Sequence, residues 1–215
     1  MKEHGIEIDR ELNIRIDSIN LFGKLVIPQD ARGIILFSHG SGSSRFSPRN
    51  NYVANLLNNQ KFGTFLFDLL TDEEDEIYSN RFNIDLLSKR LIKVTEQLTE
   101  NPLTRNYPFG YFGASTGATS AIKAAANLPQ LIKAIVSRGG RPDLAMEVLQ
   151  SINIPVLLIV GSLDPVVISL NEKAFQELHA VKQLEIIQGA SHLFEEPGKL
   201  DEVAELSIKW FKKYL

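Results

Sequence analysis

The chain has 215 residues, 44% of them hydrophobic, a formal net charge of −3 and no cysteine. That balance suits one globular domain, residues 1–215, with a sizeable core, and gives no electrostatic reason to expect nucleic acid or an anionic membrane as a partner. Disulfides, thiolate catalysis and cysteine metal sites are excluded, no segment approaches the roughly 20 apolar residues of a membrane span, and the start MKEHGIEIDRE lacks the apolar region of a secretory signal, so a cytoplasmic protein is expected.

The chain opens with period-two alternation in Gly5–Asp9 and Asn13–Asp17, and Leu21–Ile27 is a third strand candidate. Such segments read as half-exposed antiparallel strands. His4 falls in a start expected to be disordered. The pattern then changes to continuous apolar runs at Gly33–Phe37, Gly63–Phe67, Phe109–Phe112, Ala134–Val136 and Val156–Val160, with a weaker one at Leu184–Ile187. These fit strands buried on both faces. Helical spacing separates them. Ile84, Leu87, Leu91, Val94 and Leu98 recur at steps of three and four, and 51–59, 116–128, 170–179 and 200–215 read the same way. The acidic block Asp72–Glu76 sits in a stretch, Leu69–Arg81, expected to be a solvated loop or a wall of the pocket mouth.

Alternating buried strands and helices predict an α/β fold with a mostly parallel sheet covered on both sides. Ligands of such sheets bind at the carboxyl ends of the strands. The loops there carry the chemistry-bearing residues: HGSGSSR at 39–45, Asp68, GASTG at 113–117, SRGGR at 137–141, GSLDP at 161–165 and GASH at 189–192. GxSxG between a buried strand and a helix is the pattern of a nucleophile elbow, which would present the Ser115 hydroxyl above the sheet. A serine hydroxyl needs a base, and His192 emerges at the same rim; His179 lies near the end of a helix. The base needs a carboxylate, and Asp164 is placed for it, with Asp68 as the rival acid. The order Ser115, Asp164, His192 is that of an α/β-hydrolase triad. The backbone amides of Thr116 and Ser41 are the expected oxyanion donors. Arg138, Arg141 and Arg45, and more remotely Arg49, are candidates to clamp a substrate carboxylate or phosphate, the alternative being structural ion pairs with Asp68 or the acidic block. Phe194 is a candidate lining residue or plain core. The histidines are scattered without ligand spacing, so no metal or other cofactor is expected.

With these residues in hand, the chain resembles a small α/β-hydrolase of the dienelactone hydrolase-like group. The resemblance spans nearly the whole chain and rests on HGSGSSR, GASTG, GSLDP and GASHLFEEPG. It implies a single domain with a sheet of about eight strands and no separate cap. Dienelactone hydrolases carry a cysteine nucleophile, whereas this chain has serine at 115. A serine fits cleavage of a small ester, lactone or thioester, by an enzyme whose partner is that small, possibly anionic, substrate. With little chain left for a cap, the site is expected to be open. Three rivals stand beside this reading. A phosphate cradle at Gly40-Ser-Gly42 lacks the third glycine of the dinucleotide pattern, and GASTGATS lacks the P-loop lysine. A silent hydrolase fold used for binding is the second. An acyltransferase with the same triad is the third.

Overall fold

The two period-two segments at the start form one strand. In the computed structural model, which describes residues 5–215, they run together as β1 (Ile6–Ile16); His4 lies outside the described residues. A two-residue turn, with Asp17 at φ 52°, returns the chain as β2 (Ile19–Pro28). The pair is antiparallel and in register from Ile16 opposite Ile19 to Ile6 opposite Pro28, with one irregularity near Ile8. Alternation puts Leu21, Leu25 and Ile27 of β2 in the core, while Phe22 is half exposed.

The continuous apolar runs become β3 (Ile34–Ser38), β4 (Gly63–Phe67), β5 (Phe109–Ala114), β6 (Ile132–Arg138) and β7 (Val156–Gly161), followed by the more polar β8 (Lys182–Ile187). The eight strands are ordered β1-β2-β4-β3-β5-β6-β7-β8. β2 pairs antiparallel with β4, and every later pairing is parallel. β8 is the edge opposite β1, and its Lys182 and Glu185 blunt an otherwise sticky backbone.

Helices cover both faces. α1 (Pro48–Asn58) and α7 (Lys199–Tyr214) bury Val53, Leu57, Val203, Trp210 and Phe211 against Ile35, Phe37, Phe112, Val136 and Ile159. α3 (Ile84–Glu100), α4 (Thr116–Asn127) and α6 (Pro165–Glu177) pack on the other face, against Ile34, Leu36, Tyr111, Ile135 and Leu158. The predicted stripe of α3 is real: Leu87, Leu91, Val94 and Leu98 are all buried, each contributing roughly 1.5–3 kcal/mol of transfer free energy as an upper estimate.

Two helices begin earlier than periodicity indicates, because their caps carry no hydrophobic signal. Ser47 caps α1 by accepting from the Asn50 amide at 3.4 Å, with Pro48 at the first helical position. α6 starts at Pro165 rather than near residue 170 and ends at Glu177, which leaves His179 beyond it. The acidic block is a short helix, α2 (Asp72–Glu76), rather than a loop. Thr71 accepts from the Glu74 amide at 3.2 Å while Glu74 accepts from the Thr71 amide at 3.0 Å, a capping box. Glu74 also pairs with Arg90 at 2.6 Å and Asp75 with Arg81 at 2.8 Å. A further short helix, α5 (Met146–Leu149), follows β6.

The turn from β5 into α4 is so close-packed that a Cβ on Gly117 would overlap the carbonyl oxygens of Ser38 and His39, both main chain. Ser38 ends β3 in register with Gly113, and His39 is held through both ring nitrogens, so neither carbonyl is free to move. Gly117→Ala is therefore expected to cost about 3 kcal/mol, read as a fall in Tm of roughly 6–12 °C for a domain of this size. A Tm within a degree of the parent would show that the turn can relax.

Candidate active site

Ser115 occupies the N-cap position of α4, and Asp164 the N-cap position of α6. Serine and aspartate are favoured there because their side chains accept from the first helical amides, a bond worth about 1 kcal/mol. Neither makes it. Ser115 instead sits at φ 51°, ψ −123°, a conformation L residues rarely adopt, with its side chain partly exposed at the carboxyl end of β5. Gly113 and Gly117 leave room for the turn, since a Cβ on Gly113 would meet the main chain of Ala118 at 2.8 Å or less. Gly40 closes the other side, where an added Cβ would come within 3.1 Å of the Ser115 Cβ.

The Asp164 carboxylate turns away from its helix to the imidazole of His192, with Oδ2 2.7 Å from Nδ1. That contact defines Nδ1 as the protonated nitrogen and leaves Nε2 for the serine side. The loops that carry the pair are stitched together. The Leu163 amide donates to the Ala190 carbonyl at 3.0 Å, the Ser162 amide to Ile187 O at 3.0 Å, and the Gly189 amide to Ser162 Oγ at 2.8 Å. Glu196 holds the far side by accepting the Ser191 amide on both oxygens at 3.1 Å. The Ser191 side chain first, then the backbone amides of Glu196 and Ser191, keep its carboxyl below the usual range. Phe194, buried at φ 59°, is core rather than pocket lining.

Ser115 and His192 each contact the carboxyl end of β6. The Ser115 amide donates to Arg138 O at 3.1 Å, and the next residue, Gly139, lies under the imidazole: at φ 54°, it has room for a Cβ only 3.4 Å from His192 Cε1. The hydrogen bonds of the site join His192 to Asp164; none joins the Ser115 hydroxyl to the imidazole in this structure. Catalytic hydrogen bonds often form only when substrate is bound.

The two expected oxyanion donors lie side by side, but one is occupied. The Ser41 amide donates to Thr116 Oγ1 at 2.9 Å. Thr116 is the first residue of α4, where a helix offers its own amide no carbonyl partner. A substrate oxygen reaching both amides must therefore displace the Thr116 hydroxyl from Ser41.

His39, to which sequence reasoning assigned no role, sets the direction of the Ser41 amide. Its Nδ1 lies 3.0 Å from Gly40 O, which can only accept, so Nδ1 carries the hydrogen; Nε2 accepts the Leu69 amide at 3.1 Å. Gly40 O and Ser41 N–H belong to one peptide unit and point opposite ways. Holding the oxygen towards His39 turns the N–H towards Thr116. Both ring nitrogens are used and the ring is buried, so burial holds the His39 pKa below 6.5 despite the opposing pull of Gly40 and Asp68.

The arginines separate cleanly. Asp68, the rival acid, accepts from the Arg45 amide at 2.8 Å and from its guanidinium, and is no partner of a histidine. Arg141 forms a bidentate pair with Asp143, both contacts at 2.8 Å. Arg45 and Arg141 are thus committed to carboxylates of their own chain. Arg49 bonds Glu195. Arg138 is buried and forms no ion pair among the described residues. Among the described residues no cluster of three or more His, Asp or Glu is placed to hold a metal ion, and no helix is long and apolar enough to cross a membrane.

The depressed His39 pKa has a stability consequence. Between the folded value and about 6.5 the unfolded chain binds more protons, so this contribution is complete above pH 6.5 and falls as pH drops. In His39→Gln, which keeps an acceptor for Leu69, the stability gap to the parent is expected to shrink between pH 7.5 and 5.5, by up to ~1.4 kcal/mol per unit. Urea unfolding at the two pH values checks it; a pH-independent gap contradicts a neutral His39.

Comparison with known proteins agrees with this architecture. Two Mycobacterium tuberculosis proteins, each named "Putative phosphoribosyl transferase", are 50% identical over 207 residues, 96% of this chain and 47% of theirs, so the chain spans about half their length. The crystal structure of a dienelactone hydrolase from Anabaena variabilis superposes with a TM-score of 0.95 at 50% identity, covering 99% of this chain and 100% of that one. Est1E from Butyrivibrio proteoclasticus shares the fold, with a TM-score of 0.81 at 15% identity over 94% of this chain and 98% of its own. A model of the dienelactone hydrolase family matches residues 52–215. By match and by geometry, the chain belongs to the dienelactone hydrolase family.

Proposed function

We propose that this member of the family is a serine hydrolase that cleaves a small carboxylic ester, lactone or thioester through an acyl-enzyme on Ser115. The observation that carries the reading is the pair of unmade helix caps: Ser115 and Asp164 each forgo a stabilising bond, and Asp164 spends its carboxylate on His192 at 2.7 Å. Structural residues at those positions would cap their helices.

In this mechanism the Ser115 hydroxyl rotates onto His192 Nε2 and attacks the acyl carbonyl while the imidazole takes its proton. Asp164 stabilises the imidazolium and keeps the tautomer. The negative oxygen of the tetrahedral intermediate sits on the Thr116 amide, helped by the positive end of α4, and on the Ser41 amide once Thr116 Oγ1 has moved off it. The protonated His192 returns the proton to the leaving alkoxide or thiolate. Water, activated by the same imidazole, then attacks the acyl-enzyme and frees Ser115.

Leu163 and Val166, on either side of Asp164, are 63% and 70% exposed, and Leu193 beside His192 is also exposed. An apolar rim of this kind supports a substrate with a hydrophobic acyl or leaving group. The transferase in the name of the M. tuberculosis relatives is said of proteins twice this length, and the hydrolase reading is made for this chain alone.

A fluorophosphonate probe tests the nucleophile. Mass spectrometry is expected to map the adduct to Ser115 and to find none in Ser115→Ala. Against 4-nitrophenyl esters, Ser115→Ala is expected to lose about 10⁶ in kcat and Asp164→Asn about 10⁴, with the pH profile shifted. A folded parent that stays unlabelled and inert to a panel of esters would leave a binding protein on a hydrolase fold.

A further inference from the structure

We infer that the end of β6 and the first turn of α1 form a subsite for an anionic substrate group, held by Arg138 together with Arg49 and Asn50. Arg138 is the last residue of β6, paired in register with Ala114. Strand alternation points it to the same face as Val136, towards α1 and α7. There Arg138 is 6% exposed. Its Nη2 donates to Asn50 Oδ1 at 3.2 Å, its Cζ lies 5.9 Å from the centre of the Phe194 ring, and its Nε is buried without a partner.

Nothing around it neutralises it. The charge that acts on Arg138 most directly is that of Arg49, another cation. Arg49 and Asn50 lie in the first turn of α1, an eleven-residue helix whose N-terminus adds partial positive charge. Burial first, and then Arg49, lower the Arg138 pKa to about 10, so it remains charged at neutral pH. Arg49 also has a buried Nε without a partner, and its one acid, Glu195, is largely exposed.

Buried charges in proteins are normally paired, because an unpaired one costs several kcal/mol of lost solvation. Arg45 and Arg141, on neighbouring loops, follow the rule. Arg138 breaks it, having no carboxylate partner among the described residues and a buried Nε–H left unsatisfied. Arg49 keeps Glu195 as its acid; a buried Nε–H without a partner occurs there and at Arg45 as well, so the missing carboxylate is what sets Arg138 apart. A planar carboxylate or a phosphoryl group matches a guanidinium fork geometrically and supplies the missing charge. The Arg49 side chain, 31% exposed, leaves the subsite open to solvent. Its distance from the chemistry is short along the chain: the Arg138 carbonyl takes the Ser115 amide, and Gly139 supports the His192 ring. An ester bearing a carboxylate or phosphate away from the scissile bond would be anchored here while its carbonyl faces Ser115. Only this last placement rests on the serine hydrolase reading; the anion subsite does not.

Calorimetric titration with glutarate and with inorganic phosphate tests the subsite without turnover. The parent and Ser115→Ala are both expected to bind at least one of the two at millimolar concentration, more weakly in high salt; which one binds separates a carboxylate from a phosphoryl ligand. Arg138→Gln is expected to weaken binding roughly tenfold or more, the worth of one charge-assisted hydrogen bond, and Arg49→Gln to weaken it less. In turnover, the ratio of kcat/KM for mono-4-nitrophenyl glutarate over 4-nitrophenyl butyrate is expected to fall by a similar factor in Arg138→Gln. If Arg138→Gln does not fold, Arg138→Lys, which keeps the charge without the fork, and Arg49→Gln carry the comparison, each expected to bind more weakly than the parent. No binding of either probe by the parent, or variants that retain both binding and the substrate ratio, would overturn the inference. Failure of the nucleophile alone would appear as intact binding with Ser115 unlabelled.

Discussion

Ser115 is held at φ 51°, ψ −123°, a backbone state that costs of order 1–3 kcal/mol for a residue with a side chain. It persists because its surroundings leave no alternative. β5 must end and α4 begin within one residue, Gly113 and Gly117 have no side chains to prevent it, and the Ser115 amide and carbonyl are both engaged, by Arg138 O at 3.1 Å and the Ala118 amide at 3.0 Å. The bend aims α4, with its unpartnered first amides, at the space above the serine. The remaining parts of the site are arranged around this bend. Gly40 abuts Ser115 from the β3 side; on the β6 side Arg138 takes the Ser115 amide and Gly139 lies against the His192 ring.

The order of the strands explains why these loops, and not others, meet. β5 lies at the centre of the sheet between β3 and β6. The loop after β3 therefore supplies Gly40 and Ser41, and the loop after β6 supplies Arg138 and Gly139. β7 and β8 continue outward on the β6 side, so Asp164 and His192 come from adjacent strands and their loops can be bonded to one another. On the other side β4 neighbours β3, which brings Leu69 to His39 and Asp68 to Arg45. The loop carrying Gly40 and Ser41 is thus braced from β4, while the loops carrying Asp164 and His192 brace each other.

Much of this was legible in the chain itself. The elbow could be read because GxSxG marks a strand-to-helix turn that only glycine permits at the flanks. Asp164 and His192 could be singled out because one follows the buried run of β7 and the other the weaker apolar run of β8. The capping box Thr71–Glu74 is just as local, but the acidic block beside it resembles a solvated loop. The bidentate pair of Arg141 with Asp143, two residues on, was equally local. The early start of α1 and α6 escaped periodicity because Ser47, Pro48 and Pro165 carry start signals without hydrophobic ones.

What residues alone determine here is local: the backbone state each segment favours and the face each side chain takes. Period-two alternation, buried apolar runs, the α3 stripe and the glycines of the elbow all follow from sterics and hydrophobic spacing within a few residues. Partnership across the sheet is a different kind of information. His39 bonds an amide 30 positions away, Ser41 meets Thr116 75 positions away, and Arg138 meets Asn50 88 positions away. Whether an arginine at the rim finds a carboxylate, as Arg45 does, or is buried without one, as Arg138 is, depends on which loops the strand order sets side by side. Only the tertiary structure decides that, because electrostatic pairing acts through space and no local pattern records the neighbours.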